Sequence, residues 1–526
     1  MSLDLSFPAK RGAPPRELEI RPKQVKAWIE SLPLAQSMDA SRKLCANLAA
    51  MNSSKIDWDD RVQILETYRP TTAVLLEELE AIFAKSTPPL AVRAREALGV
   101  ARDLAAELAV GYKIAIAEKS GKLLAFGSPK QLPLLIYRAM ECLAAGLRAS
   151  YKSYSPVPAG IWKEMHQLYL HAERENLALA LADAEAKASV FDAYSESLLL
   201  ALTDPYRLIQ GEAEKVLAQI RAARGLATLA RARPSTPPGA HFLVPCDTDR
   251  PPKPALSAND DTGGENWRLL DANPLVERLR ARKKALETGN VSATTSRMVG
   301  ADGMALLEKL IVLWGDPPKR SSRRDAMETT VAICVGLKDL SHFVSCEPKG
   351  ETLSEGEGIR SGITMPLITV PDDEVSKQLA VHEWDVVNQS AGGLKVRRLA
   401  AARPSIGVGE VVGIKSIGKS RWTIGVVRWI TELESGALEF GLQFLSPGAR
   451  TVSVLPTAVS IANQAKLALL LAEGESFGEQ SLLTPPSTFA DLREFEVEDE
   501  GMVSCVRATR LIEKTLRFEL FHFSPS

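Results

Sequence analysis

The sequence predicts a multidomain α+β protein: an N-terminal all-α helical bundle or helical-repeat domain, then an antiparallel β-barrel, then a small C-terminal β unit. Three observations carry that expectation. Apolar residues recur with a period near 3.6 over residues 22–231, they alternate with a period of 2 from about residue 326, and a stretch dense in Pro, Gly, Ser and Asp lies between the two regimes. The 526 residues exceed what one core organises, since domains usually hold roughly 100 to 200 residues.

Residues 1–21 show no periodic pattern and are expected to be disordered, with no signal-peptide core. In the helical domain, 22–231, Val25, Trp28, Ile29 and Leu32 mark one stripe, and Leu75, Leu79 and Ile82 another. Further helices are expected over 39–51, 58–68, 89–119, 130–152, 159–175 and 178–202. Ile209, Ala213, Val216 and Ile220 belong to a helix opened by Asp204 and Pro205, a capping residue followed by one whose missing N–H costs nothing at a helix start. Residues 232–270 read as a Pro-rich linker. Two connecting helices follow within 271–315, the second burying Leu306, Leu307, Leu310 and Leu313.

The barrel is expected over 316–455. METTVAICVGL sets Val331, Ile333, Val335 and Leu337 on one face, RWTIGVVRWI sets Trp422, Ile424 and Val426, and ALEFGLQFL sets Leu438, Phe440, Leu442 and Phe444. With VGEVVGIKS and two arms around Asn388 these make about six short strands, enough to close a barrel and remove exposed edges. Residues 347–377 read as a long insertion, and 456–526 as the small C-terminal β unit.

Two polar segments interrupt this framework. WDVVNQSAGGLKVRR, residues 384–398, packs an Asn, a Ser and two glycines between strand-forming arms; it suits a hairpin, and equally one half of a ligand site. DPPKRSSRRDA, residues 316–326, is kept extended by its prolines and feeds the first strand with Lys319, Arg320, Arg323 and Arg324, a run that by itself reads as a solvated basic loop.

The combination is more specific. Arg320 and Arg324 with three residues between them, followed by Asn388, Ser390 and Gly393 in the spacing [DN]xSxxG within a strand-turn-strand, resembles the PilZ domain family. The likeness covers residues 316 to about 455, and the preceding helical half is similar to larger proteobacterial PilZ proteins. The resemblance implies a PilZ-like β-barrel that binds the second messenger cyclic di-GMP. It implies that Arg320 and Arg324 grip guanine edges and phosphates, that Asn388 and Ser390 bond to the other guanine and a phosphate, and that Gly393 leaves room for the ligand. Lys319 and Arg323 are possible additional contacts. The chemistry agrees: a guanidinium can bond bidentately to guanine O6 and N7 or to phosphate oxygens, and can stack on a base.

Other chemistries find little support. Sixty-four basic against 65 acidic residues leave no global field to draw the chain onto nucleic acid or an anionic membrane. The six cysteines form no CxxC pair, which favours a reducing, cytoplasmic setting without zinc knuckles. No run of 18 apolar residues suggests a membrane span. His166 and His171 lie five apart, HEWD at 382–385 lacks a zincin's second His, and all six histidines read as surface or interfacial; the glycine clusters match no phosphate loop. No cofactor, metal site or catalytic constellation is expected, so the chain is read as a non-enzyme. Trp384, Trp422 and Trp429 read as barrel core.

The reading is a cytoplasmic cyclic di-GMP receptor whose helical domain relays occupancy to a protein partner in motility, type IV pili or biofilm regulation. The alternatives are a helical interaction scaffold with a degenerate, non-binding barrel, and a nucleic-acid binder using the basic segments 275–284 and 319–324.

Overall fold

The computed structural model describes residues 4–8, 12–16, 18–120, 131–232, 239–255, 265–288, 293–317, 325–347, 380–399, 404–457, 464–472 and 480–526. The chain divides into two compact units, Met1–Arg320 and Ser321–Ser526.

The first unit begins with α1 (Pro22–Glu30), α2 (Ser37–Asn52), α3 (Trp58–Phe83), α4 (Val92–Ser120), α5 (Leu132–Lys152) and α6 (Ile161–Arg174). The long helix α4 packs against α2, α3 and α5 at once, the arrangement of a bundle; in a solenoid each repeat touches only its neighbours. Leu65, Tyr112, Leu135, Leu147 and Leu168 lie in its core. Helix α3 runs on through Pro70, past the expected stop at 68, because Leu75 continues into the same core and Leu79 and Phe83 enter a second buried cluster with Ala94, Ala97 and Leu98 of α4.

Expectations for this unit are corrected in three regions. The helix expected over 178–202 is a short hairpin, β1 (Leu181–Asp183) and β2 (Ala188–Ser189), followed by α7 (Val190–Leu202). Ser189 and Asp192 form a capping box that starts the helix there, so alanine richness upstream did not extend it. Asp204 and Pro205 open only a single 3-10 turn, and α8 (Glu212–Ala222) starts after Gly211, whose φ of 85° breaks the chain direction. Second, the described parts of residues 1–21 are docked: the Ser6 N–H donates to Glu164 at 2.9 Å, Lys163 pairs with Asp4 at 2.6 Å, and Leu18 is buried.

Third, the segment expected as a linker carries most of a four-stranded sheet in the order β3-β6-β4-β5, from β3 (Thr228–Arg231), β4 (His241–Pro245), β5 (Lys253–Pro254) and β6 (Trp267–Asp271). Phe242, Leu243, Val244 and Leu270 are fully buried, so HFLVP and WRLLD are core strands inside a composition that reads as loop. Polar contacts fix the sheet to α6. Buried Arg268 pairs with Glu173, Nη2 to Oε2 at 2.6 Å, and Asp249 accepts from the Gly160 and Lys163 N–H groups at the helix start. Helix α9 (Asn273–Glu287) and helix α10 (Ala293–Gly315) complete the unit, with the buried Trp314 indole donating to the Leu199 carbonyl of α7 at 3.0 Å.

The second unit holds two closed six-stranded antiparallel barrels. The first uses β7 (Asp325–Val335), β8 (Val381–Ser390), β9 (Gly393–Arg398), β10 (Val411–Ser416), β11 (Thr423–Glu432) and β12 (Leu438–Ser446) in the closed order β10-β11-β12-β9-β8-β7, with α11 (Leu337–Ser345) between β7 and β8. These are the expected strands, closed as expected, except that β7 ends at Val335 and Leu337, expected on the same strand face, opens α11 instead. The C-terminal β unit is the second barrel, made by β13 (Ala449–Pro456), β14 (Lys466–Leu471), β15 (Ser481–Thr484), β16 (Glu494–Asp499), β17 (Met502–Lys514) and β18 (Glu519–Pro525). It starts at 449, not 456, because β12 turns into β13 through Pro447 and Gly448 alone. Its order, β13-β14-β15-β18-β17-β16, repeats the pairing of the first barrel strand for strand. The insertion expected over 347–377 falls, apart from Glu347, outside the described residues.

His166 and His171 are buried, not at the surface. The His166 Nδ1 lies 2.6 Å from the Tyr194 hydroxyl and Nε2 2.9 Å from the Arg250 carbonyl. A carbonyl only accepts, so Nε2 carries the proton and Nδ1 accepts from Tyr194: the neutral ring satisfies both partners. Burial holds its pKa down from 6.5 to about 4. Above pH 6.5 the ring is neutral whether the chain is folded or not, whereas between 6.5 and 4 the unfolded chain takes up a proton that the folded one refuses. Stability is therefore lost on acidification through that window, by up to about 3 kcal/mol. Denaturant unfolding of the wild type and His166→Gln, followed by fluorescence of the stacked Trp162, is expected to show the wild type losing about that much more between pH 6.5 and 4; equal losses refute the assignment.

Candidate ligand-binding site

The polar turn sits where β8 meets β9. Ser390 pairs with Gly393 across a two-residue connection, Ala391 and Gly392, and the Gly392 carbonyl accepts from the Phe444 N–H at 3.0 Å, tying the turn to β12. Neither Gly392 nor Gly393 takes a left-handed φ, so turn geometry is not what selects glycine here. Close approach selects it at 393: a Cβ there would stand 2.0 Å from the Leu442 carbonyl oxygen. Packing of β9 against β12 thus already requires this glycine, apart from any room it leaves for a ligand.

Strand alternation decides which way the motif faces. On β8 and β9, Trp384, Val386, Leu394 and Val396 are buried, and Trp384 meets Phe440 edge-on at 4.6 Å in the barrel interior. A bulge between Val386 and Asn388 shifts the phase, so that Asn388 pairs with Lys395 and shares its outward face. Ser390 and Gly393 continue that face, and Gly393 pairs in turn with exposed Gln443 of β12. The expected residues Asn388, Ser390 and Gly393 are therefore brought together on the outside of the barrel. Among the described residues the Asn388 amide engages no hydrogen-bond partner, and the Ser390 hydroxyl makes only a long 3.4 Å contact to the Gly393 carbonyl. A two-residue polar hairpin would normally be satisfied by its own backbone; these groups are left turned to the surface.

Lys319, Arg320, Arg323 and Arg324 lie outside the described residues. The strand they lead into is described, and its register is informative. Asp325 pairs with Gln389 and Ala326 with Asn388, so β7 starts beside the polar end of β8.

Next to the motif lie charged groups that are already paired. Buried Glu439 binds Lys395 Nζ at 2.9 Å and Arg397 Nε at 2.6 Å, and Lys395 stands 5.7 Å over the Trp429 ring. Trp384 and Trp422 are core, as expected, but Trp429 is only half-buried and lies across Gly441, where a Cβ would collide with the indole. On the far side of Gly393, Arg428 Nε donates to Gln443 Oε1 at 2.7 Å and its Nη2 to Glu513 Oε2 at 2.8 Å. Sequence reading passed over Arg428 and Gln443 because nothing local marks them. Their proximity follows from cross-strand register, visible in sequence only as an Arg and a Gln among alternating apolar positions.

Among the described residues no cluster of three or more His, Cys, Asp or Glu suits a metal ion, and no helix is long and apolar enough to cross a membrane.

Comparison with known proteins bears on both units. The family model for the N-terminal domain of the cyclic-di-GMP receptor FimW matches residues 23–235, and that for the middle PilZ domain of the same receptor matches 241–357 and 368–451. The middle-domain match starts at β4, so it takes in three of the four strands of the small sheet, α9 and α10 as well as the first barrel. The cyclic-di-GMP receptor FimW of Pseudomonas aeruginosa is 25% identical over 484 residues, which span 82% of this chain and 78% of that protein. With most of its length matched by these two domains in order, the chain belongs to the FimW family of PilZ-domain proteins.

Proposed function

We propose that this chain is a cytoplasmic, non-catalytic receptor for cyclic di-GMP. Arg320, Arg324, Asn388, Ser390 and Gly393 hold the dinucleotide on the outer face of the first barrel, and Lys319 and Arg323 add positive charge. The observation that supports this most is the pairing of Asp325 with Gln389. Arg324 is joined directly to Asp325, and consecutive Cα atoms are about 3.8 Å apart, so its backbone starts next to the Asn388 and Ser390 pair. Four residues further, Arg320 has a tether of at most about 14 Å from there. That is within the reach of one ligand carrying two guanines and two phosphates.

The named relative is a receptor for the same dinucleotide, which favours this ligand over other nucleotides. The stretch holding the arginines also joins the two compact units, whose division falls at Arg320 and Ser321. Ligand that fixes this stretch would alter the helical unit's availability to a protein partner, by as much as the ligand prefers one arrangement over the other. Motility, type IV pili or biofilm control is the output we assign to that partner.

Calorimetric titration of the full chain with cyclic di-GMP tests the site. Arg324→Ala and Ser390→Ala each lose bonds to charged phosphate, at about 1.5 to 3 kcal/mol, so affinity is expected to fall roughly ten- to 150-fold. Heat from the wild type that survives Arg324→Ala unchanged would remove the arginines from the site, and no heat from the wild type would favour a helical scaffold with a silent barrel. Gly393→Ala is expected to act differently: its Cβ forces β9 from β12 and lowers barrel stability by roughly 1 to 3 kcal/mol with no ligand present. A thermal melt matching the wild type would contradict that packing argument.

A further inference from the structure

The outer face of the first barrel continues beyond the family motif. Ser390, Gly393 and Gln443 stand side by side on β8, β9 and β12, a row two strand spacings wide, or about 10 Å. Its middle member has no side chain, so the floor between Ser390 and Gln443 is bare backbone. Beyond Gln443 stands Arg428. A bulge between Val427 and Trp429 leaves Arg428 without a ladder partner on β12 and lets its side chain turn along the outer face to Gln443. The guanidinium then meets Glu513 of β17, in the second barrel, through both terminal nitrogens.

Resting on the receptor reading above, we propose that the dinucleotide site extends across Gly393 to Gln443 and Arg428, and that Glu513 competes with the ligand for the Arg428 guanidinium. A flat, two-sided ligand lying on the Gly393 floor has its far edge at Gln443, whose amide offers a donor and an acceptor. The guanidinium behind it matches phosphate oxygens or the guanine O6 and N7 edge in the same fork geometry that it now offers to the Glu513 carboxylate. It cannot serve both at full strength. Ligand binding therefore loosens a tie to the second barrel, and removal of the Glu513 charge frees Arg428 for ligand.

The pair is partly exposed, with side chains 31% and 21% accessible, so the competition is modest. Calorimetry with cyclic di-GMP on the full chain, with thermal melts of each variant, is the test. Glu513→Gln is expected to tighten binding by about three- to fivefold, Arg428→Ala to weaken it by about tenfold, and Glu513→Gln to change nothing in the Arg428→Ala background. A merely structural pair would give looser binding or none of these changes on Glu513→Gln, because loss of a strut cannot improve a site. Hydrogen exchange at 510–514 supplies a readout without mutation: it is expected to quicken when ligand is added. Wild-type binding with affinity unmoved by either substitution, or slowed exchange on β17, overturns the extension alone. Wild-type protein that takes up no dinucleotide overturns the receptor reading and this inference with it.

Discussion

Everything at the candidate site depends on the register of β8. Side chains alternate with a period of two, so a slip of one residue would turn Ser390 into the barrel and Gln389 out to the surface. That register is held from both sides. The ladder to β7 sets Asp325 against Gln389, and the ladder to β9 sets Ser390 against Gly393, which is itself clamped by the Leu442 backbone of β12. Trp384 and Val386 add the energetic reason, since a slip would expose an indole buried to 1% accessibility. Bulges at Ala326–Thr329, Val386–Asn388 and Val427–Trp429 are among those that interrupt the ladders around this face. Each lets a polar residue leave the strict alternation, so the barrel keeps an apolar interior while its outside gathers a site.

The second barrel repeats the strand pairing of the first without its chemistry. Its first strand follows β12 after Pro447 and Gly448, too short a connection for a basic loop, and the segment between β14 and β15, AEGESFGEQ, contains no [DN]xSxxG spacing. What it shares with the first barrel is a core. Leu340 and Val344 of α11, Trp422 and Ile424 of the first barrel, and Leu469, Leu483 and Phe518 of the second lie in one buried apolar cluster. The Ser341 carbonyl accepts from Thr451, and the Thr515 hydroxyl approaches the Gly409 carbonyl at 3.5 Å. Apolar burial holds such a pair of barrels together far more strongly than the partly exposed Arg428 and Glu513 contact does, so that contact can yield without parting them.

The helices, the first barrel and the [DN]xSxxG turn were legible because each writes its period or spacing into neighbouring residues. The small sheet was not. Its strands are two to five residues long, and averaging over residues 232–270, rich in Pro, Gly and Asp, hid HFLVP and most of WRLLD. The hairpin at 181–189 was lost for the opposite reason: alanine and leucine gave a helical pattern that Ser189 and Asp192 override with one capping box. Asn388, Ser390 and Gly393 face outward together, yet Gly393 is constrained by a strand about fifty residues away that no local reading reveals. Arg428 and Gln443 are the same case. A cross-strand neighbour leaves no trace in local sequence beyond the alternation that makes the strand.

A chain of near-neutral charge has no long-range field to gather an anionic ligand, so any selectivity for one must come from short-range bonds. Those bonds count only to the extent that the empty protein fails to make equivalent ones. A guanidinium held by a carboxylate in the empty protein must give up that bond to the ligand, so it contributes only the difference between the two partners. Arg428 is held by Glu513 and Gln443 in this way, whereas Lys395 and Arg397 are bound to buried Glu439, whose charge would be left uncompensated if they moved. Of the cations on this face, the one whose partner is itself partly exposed is the one that can exchange partners at low cost, and its partner lies on the other barrel.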